Sequence, residues 1–506
     1  MTKIILNSIQ DLKNWKKDTR ESINFVPTMG NLHKGHEQLI KTAKNYYENL
    51  TLVSIFLNPL QFNNKNDLIT YPKTIEKDIK KGFSSGADAI FIPSFKDIYP
   101  EPNNIKKIRA SRELSSALCG LTRKGHFDGV CTVVFQLLNL IEPKTIFLGE
   151  KDWQQLLILK KMIIDLKLDV KVKSGRTHRD LDGVPFSSRN NLLSSSERET
   201  LKVFSEILLN ARDSFCKERK INLNSIIKEI KENNLEIEYV EHLDAYNFKE
   251  PSSNITILAG AVLCGSKRFI DHVFLMKRKP IIAIDGPAGS GKSTITKLIA
   301  NKLNFIYLDT GAMYRALSWF LIHQETNYEN PLELENALKN IQIVFKTSSQ
   351  NNQDVYINEY CVTQEIRSQE VSLVVSKIAS IDKVREFLVK EQRKIGDFGG
   401  IIAEGRDIGT HVFPNAELKI FLTASINERA KRRKLELEEK GNLNIDFETI
   451  KNQIKDRDYD DSSRKISPLK KAKDALEIVT DGYSINEIVD KISEIYSDRI
   501  PKELQG

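Results

Sequence analysis

Residues 281–294, Ile-Ile-Ala-Ile-Asp-Gly-Pro-Ala-Gly-Ser-Gly-Lys-Ser-Thr, decide how this chain is read. A short β-branched run ends at Asp285, Gly-x-x-x-x-Gly-Lys-Ser follows, and a helical pattern runs from Thr294 to Leu303. Strand, loop and helix in that order are the setting in which such a pattern grips phosphate. Gly286, Gly289 and Gly291 let the backbone curl with its N–H groups inward, and the helix beginning near Thr294 adds the positive end of its dipole. Lys292 supplies a mobile charge for the outer phosphates, and the Ser293 hydroxyl suits Mg²⁺. The loop opens an α/β domain more than halfway along 506 residues, so a separate folded unit is expected before it.

The length predicts two or three domains. Hydrophobic residues make up 40% and charged residues 28%, as in ordinary globular proteins. A net charge of +8 spread over Lys- and Glu-bearing helices, with no basic tail, argues against a nucleic-acid binder. Anionic small substrates account for a modest cationic surplus equally well. Cys119, Cys131, Cys216, Cys264 and Cys361 are scattered with no C-x-x-C, which disfavours disulfides and zinc and points to a reducing compartment. The opening apolar run is short for a signal peptide and no later stretch is long enough to span a membrane, so a cytoplasmic location is expected.

In the first half, strand-length apolar runs (Ile23–Val26, Leu52–Leu57, Ala89–Ile92, Thr145–Leu148) alternate with helical patterns. That alternation predicts a doubly wound parallel sheet, whose ligands bind where strands end and helices begin. Polar motifs fall at those ends. Pro27-Thr-Met-Gly-Asn-Leu-His-Lys-Gly-His36 follows the run at 23–26, and its Gly30 and Gly35 permit close backbone approach. His33 and His36 at a helix start suit donation to phosphate oxygens. A zinc site would want a Cys or Glu partner, and two packing histidines are the plain alternative. Phe56-Leu-Asn-Pro-Leu-Gln-Phe62 offers Gln61 as donor and acceptor, suited to a hydroxy acid. Arg123-Lys-Gly-His-Phe-Asp-Gly-Val130 leads into an apolar helix over 133–140. In Phe147-Leu-Gly-Glu-Lys-Asp-Trp-Gln-Gln155, Lys151 can neutralise phosphate and Asp152 can accept from ribose hydroxyls. Arg179-Asp-Leu-Asp-Gly-Val-Pro-Phe-Ser-Ser-Arg-Asn190 brings two serines and an arginine suited to a triphosphate.

Together these segments resemble pantothenate synthetase (pantoate–β-alanine ligase) of the HxGH nucleotidyltransferase superfamily, over about 20–275. The resemblance implies a Rossmann-like domain over 1–187 and a small α+β lid domain over 188–276. It implies ATP contacts from Met29, Gly30, His33, His36, Gly149, Lys151, Asp152, His178, Phe186, Ser187, Ser188 and Arg189, with His33 and His36 in the catalytic role. Gln61, Gln155 and Arg123 would hold pantoate and β-alanine, and Asp78 in Tyr71-Pro-Lys-Thr-Ile-Glu-Lys-Asp78 matches a magnesium contact. Phe186 stands where that family often has Met, and His178 where it has an aliphatic residue. Both positions are expected to touch ATP through backbone groups.

The junction, His272-Val-Phe-Leu-Met-Lys-Arg-Lys-Pro280, is too apolar for a flexible tether. After the phosphate loop come Leu308-Asp-Thr-Gly-Ala-Met-Tyr-Arg315, Ile401-Ile-Ala-Glu-Gly-Arg-Asp407 and Asp456-Arg-Asp-Tyr-Asp-Asp-Ser-Ser-Arg464. Guanine-reading motifs of a GTPase are missing, and an arginine series is what phosphoryl transfer demands. These residues resemble bacterial cytidylate kinase over about 280–500. The resemblance implies a P-loop nucleoside monophosphate kinase domain over 277–506, with a CMP insert near 345–385 and a lid near 430–470. Thr310, Arg315, Arg385, Arg406, Asp407, Arg457, Asp461 and Arg464 would contact CMP, with Lys292, Arg406 and Arg457 catalytic.

The expected protein thus joins ATP-dependent pantothenate synthesis, through a pantoyl adenylate, to phosphorylation of CMP or dCMP. Its partners are ATP, pantoate, β-alanine and CMP/dCMP, with Mg²⁺ at both sites, and a homodimer through the first half is implied by the synthetase family. Another HxGH adenylyltransferase fused to another small-molecule kinase, or a nucleotide sensor, are the alternatives the residues themselves leave open.

Overall fold

The computed structural model describes residues 3–265, 267–347, 353–439, 446–464 and 466–505, with Lys65 and Thr347 described by their backbones only. They fall into two compact units, residues 1–277 with 500–506, and residues 278–499. Among the described residues the strands form four sheets.

In the first unit, β1 (Ile4–Leu6), β2 (Ile23–Thr28), β3 (Leu50–Ile55), β4 (Ala89–Phe91), β5 (Thr145–Gly149) and β6 (Lys171–Gly175) make one sheet, ordered β1-β4-β3-β2-β5-β6. Every neighbouring pair is parallel. Residues of β2 and β3 are buried on both faces, which is why they read as unbroken apolar runs. Val26, Val53, Ile90 and Phe147 meet Leu39, Ile40 and Ala43 of the helix Lys34–Lys44 in one apolar layer. The order places β2 between β3 and β5, so the loops leaving these three strands lie side by side at one sheet end. Such a switch in strand order opens a crevice.

The helices Ser195–Glu218 and Leu223–Glu232 and an antiparallel sheet of β7 (Glu236–Asp244), β8 (Ile255–Cys264) and β9 (Lys267–Met276) complete this unit. Leu201, Phe204, Leu208, Val240, Leu258 and Val273 form their own core. Arg179 clamps Asp271 of β9 through two hydrogen bonds of 2.7 and 2.8 Å, so this arginine of the serine-bearing loop serves the fold. Residues 500–505 also belong here, which corrects the expected 277–506 boundary. The helix Ile485–Arg499 ends, Pro501 follows, and the Lys502 N–H donates to Glu150 of the first unit.

In the second unit β10 (Ile281–Asp285) and β11 (Ile306–Asp309) precede a small antiparallel sheet of β12 (Ile343–Thr347), β13 (Gln353–Ile357) and β14 (Tyr360–Cys361). Then β15 (Ile401–Gly405), β16 (Leu418–Thr423) and β17 (Leu476–Val479) join the main parallel sheet, ordered β11-β15-β10-β16-β17. The small sheet and the helix Gln369–Ala379 fall in the expected insert, the helix Asp382–Ile395 begins at its end and runs past it, and residues 348–352 lie outside the described residues. The expected lid holds the helices Ile426–Glu439 and Phe447–Ser463, and residues 440–445 and Lys465 within it lie outside the described residues. Among the described residues no helix is long and apolar enough to cross a membrane.

Close packing fixes the turn Pro59–Gln61 against the helix His126–Ile141. A Cβ on Gly129 would stand 2.4 Å from Leu60 O, and the Gly129 carbonyl accepts from Asn58 Nδ2 at 3.1 Å. Gly129→Ala is therefore expected to cost about 1–3 kcal/mol and to shift Gln61. Denaturant unfolding of the first unit checks this, and an unchanged midpoint would contradict it.

Candidate active sites

In the first unit the loops after β2, β3 and β5 bring their motif residues to one cleft. Two adjoining cavities share Met29, Gln61, Lys151, Asp152, Ser187 and Ser188 among their linings. One continues past His33, His36, Gly149, His178 and Phe186, and Gln155 lines both. The other, lined by Arg123 and Arg189, is also lined by Tyr239, Ile257 and Arg268 of the antiparallel sheet β7–β9.

His33 caps the helix Lys34–Lys44, and its ring lies 4.0 Å from that of His36. The His33 backbone N–H donates to His36 Nδ1 at 3.4 Å, which leaves the His36 proton on Nε2. His33 Nδ1 finds no hydrogen-bond partner among the described residues. Burial pushes both pKa values down from 6.5, to about 2 for His33 and about 4 for His36, and the two rings add to the effect at His33. Near neutral pH both imidazoles are thus uncharged donors, a form suited to polarising an oxygen without contributing a proton.

Gly30 adopts φ +87°, and a Cβ there would press on Asp78 Oδ2 at 3.2 Å. Asp78 itself is buried, and it accepts from the backbone N–H groups of Asn31 (2.9 Å) and Leu32 (2.7 Å) and from the Thr74 hydroxyl (3.0 Å). It lines neither cavity, and these bonds hold the histidine loop; the sequence reading expects the same carboxylate to meet magnesium. Lys151 Nζ donates to Asp152 at 3.2 Å across the turn Glu150–Asp152. Asn31 Nδ2 donates to Ser188 O at 2.7 Å, tying the serine loop to the histidine loop. Arg189 donates to Arg268 O at 3.2 Å.

Gln61 is held by Asn58 Nδ2 (3.1 Å) and donates to Met29 Sδ at 2.8 Å. His126, which the sequence reading passed over, bonds Gln61 O through Nδ1 at 2.7 Å. Its Nε2 then accepts from Arg123 at 3.0 Å, aiming that guanidinium at the cavity. Asn58 and Tyr71 were likewise missed. They lie inside quoted motifs, and only the folded arrangement shows that Tyr71 reaches Gly30 O and Asn58 steadies Gln61.

In the second unit Gly286 (φ +154°), Gly289 (φ +76°) and Gly291 (φ +86°) wrap the start of the helix Lys292–Leu303. A Cβ on Gly286 would stand 2.0 Å from Leu422 O, so only glycine fits. Lys292 is buried, with its ammonium inside the loop, 2.6 Å from Pro287 O and 3.4 Å from Ser290 Oγ. Burial first, and Arg406 second, push its pKa down to about 7. Ser293 Oγ donates to Glu404 Oε2 at 3.0 Å, and Tyr307 donates to the other oxygen. A hydroxyl beside a buried carboxylate fits a magnesium ion, so Glu404, quoted but given no role from sequence, joins Ser293 as a candidate ligand. Thr294 lines a cavity beside the loop together with Arg432, Arg433 and Arg457.

Thr310 donates to Glu404 O at 2.7 Å, and Arg315 pairs with Asp309 at 3.1 Å. Arg385 donates to Asp407 at 2.6 Å, both buried, with its guanidinium over the Tyr314 ring. Arg406 donates to Asp461 at 2.6 Å, and Arg464 pairs with the other oxygen of that carboxylate. Asp285 accepts from the Ile408 (2.8 Å) and Gly409 (2.7 Å) N–H groups, which fixes the turn that follows Arg406 and Asp407.

The first unit carries an acid liability. His126 and His272 are buried, and burial pushes their pKa values from 6.5 to about 3 and about 4. The unfolded chain therefore takes up protons before the folded one as pH falls. Stability is whole above about pH 6.5 and drops toward pH 4 by about 1.4 kcal/mol per histidine per pH unit. The denaturation midpoint of the first unit should fall between pH 7 and pH 5, with a smaller slope in His126→Gln. A flat profile would contradict these burials.

Comparison with known proteins matches two successive stretches of the chain to two families. The family model described as pantoate-beta-alanine ligase matches residues 4–274, and that described as cytidylate kinase matches residues 282–498. A bifunctional pantoate ligase/cytidylate kinase of Prochlorococcus marinus (strain AS9601) is 62% identical over 99% of this chain and 99% of its own. The protein of the same name from Prochlorococcus marinus subsp. pastoris (strain CCMP1986 / NIES-2087 / MED4) is 62% identical over all of both chains. Among solved structures, a pantoate-beta-alanine ligase from Francisella tularensis, complexed with beta-gamma ATP and beta-alanine, is 36% identical with a TM-score of 0.48. It covers 54% of this chain and 97% of its own. With both halves matched in order and near-complete relatives at this identity, the chain belongs to the family of bifunctional pantoate ligase/cytidylate kinases.

Proposed function

We propose that each of the two activities, pantoate–β-alanine ligation and CMP phosphorylation, runs in its own cleft on its own ATP. The observation that carries the ligase half is the meeting of His33, His36, Lys151, Asp152 and Ser187 around one cavity. Pantoate, held by Gln61 and Gln155, attacks the α-phosphorus through its carboxylate oxygen, and pyrophosphate leaves. Neutral His33 and His36 donate to phosphate oxygens as charge builds there, while Lys151, Ser187, Ser188 and Arg189 hold the rest of the polyphosphate. Asp152 accepts from the ribose, and Met29, Gly30, Gly149, His178 and Phe186 shape the nucleotide's bed. The amine of β-alanine, its carboxylate facing Arg123, then attacks the acyl carbon. AMP departs and the amine gives up a proton. The lid sheet over this cavity keeps water from the acyl adenylate. Magnesium would come to this cleft with the triphosphate and offset its charge, with Asp78 the candidate contact on the protein.

In the kinase half Ser293 and Glu404 would hold magnesium, which offsets phosphate charge. Lys292 exchanges Pro287 O for phosphate oxygens, and Arg406 and Arg457 surround the moving phosphoryl group. Thr310, Arg315, Asp461 and Arg464 seat CMP or dCMP, and the buried Arg385–Asp407 pair faces the cytosine edge. The two charges partner each other, and a base unable to satisfy the atoms left over, Arg385 Nε among them, leaves buried polar groups without partners, which is strong discrimination. A cytoplasmic location and a homodimer through the first unit are part of the same proposal.

Lys292→Ala should lower CMP phosphorylation at least about a hundredfold and spare pantothenate formation. His36→Ala should do the reverse, raising the adenylation barrier by about 3–4 kcal/mol. Paired assays on the full chain check both, and either variant losing both activities would contradict separate sites.

A further inference from the structure

Glu150 sits between Gly149 and Lys151, yet its side chain lines neither cavity of the ligase cleft. It is 1% exposed and turned toward β6, where Ser174 Oγ donates to it at 2.7 Å. Its other partner is distant in sequence. The backbone N–H of Lys502 donates to both carboxylate oxygens, at 3.1 and 2.9 Å. Lys502 begins the short turn Lys502–Leu504, which follows the buried Ile500 and Pro501 and packs against β9. Glu503 secures the same turn by pairing with Arg212 at 3.1 Å.

We propose that residues 500–505, which follow the last helix of the kinase unit, are a positioning element of the ligase ATP site. They act through Glu150. A buried carboxylate needs its hydrogen-bond donors, and one that loses them moves toward water or takes up a proton. Glu150 opens the turn that carries Lys151 and Asp152, so a shift in its side chain displaces the two groups that face the nucleotide. The covalent fusion thus has a structural use, since a stretch of chain beyond the kinase fold completes the wall behind a ligase motif. The inference rests on the reading that Lys151 and Asp152 hold ATP.

Lys502→Pro isolates the interaction. Proline removes the one N–H in question, its ring suits the first position of such a turn, and Pro501 already has the extended backbone (φ −51°, ψ 136°) that precedes proline. Lys502→Ala keeps the N–H and serves as control. In the full chain, Lys502→Pro should raise the ligase KM for ATP about tenfold, with a smaller change in the KM for β-alanine. Lys502→Ala, which removes only the ammonium, should move the ATP KM much less than Lys502→Pro does, and CMP kinase rates should not change in either. Arg212→Ala, which frees Glu503, should move the ATP KM in the same direction. Ligase constants in Lys502→Pro equal to those of Lys502→Ala would overturn the proposal, as would a matching loss of kinase activity. Lys151→Ala separates this from the underlying reading: an unchanged ATP KM there would refute the ATP assignment itself, whatever Lys502→Pro does.

Discussion

Both units must hold groups of like charge close together before any polyphosphate arrives to balance them. In the kinase unit Asp461 does this, with Arg406 on one oxygen and Arg464 on the other, while Arg457 and Lys292 stand near. Lys292 is the group that yields, its pKa lowered by burial and by Arg406, and its ammonium rests on Pro287 O. The ligase unit solves the same problem by neutrality. Lys151 is paired with Asp152, and His33, His36 and His126 are kept uncharged by burial. Burial also lowers the Arg123 pKa, to about 10, and its neighbour His126 offers it a lone pair rather than a second cation. In each cleft the lysine thus rests on an oxygen of the chain itself, Pro287 O for Lys292 and the Asp152 carboxylate for Lys151.

A second device recurs. Buried carboxylates that do not face the clefts spend their oxygens on the backbone of loops that do. Asp78 holds Asn31 and Leu32 behind the histidines, and Asp285 holds Ile408 and Gly409 behind Arg406 and Asp407. Glu150 works the other way round: it opens the turn that carries Lys151 and accepts from the Lys502 N–H of a turn that lines neither cavity. Hydrogen bonds to an ionised acceptor are roughly twice as strong as neutral ones, and they are directional. That combination suits loops that must keep their shape with no ligand bound.

The two-unit organisation and most cleft residues were legible because their signals are local: glycines at a strand end, a histidine pair at a helix start, apolar runs buried on both faces. β1 and β6 were not. β1 is three residues long, and β6, Lys171-Val-Lys-Ser-Gly, is a sheet edge whose lysines break the apolar run. Glu404 had no assigned role because its partner Ser293 lies 111 positions away. For Asp78 the converse holds, since sequence shows a carboxylate but not the Asn31 and Leu32 N–H groups it accepts from. Residues 500–505 read as part of the second half, and only tertiary contact assigns them to the first. Arg432 and Arg433, indistinguishable from surface arginines in sequence, line the cavity beside the phosphate loop.

The central claim is that two separate polyphosphate clefts share this chain. Equilibrium binding of a nonhydrolysable ATP analogue to the full chain, with stoichiometry as the readout, tests it most directly. The account predicts two molecules bound per chain, one of them displaced by pantoyl adenylate analogues without loss of the other. A single bound molecule per chain, or loss of both on that displacement, would contradict it.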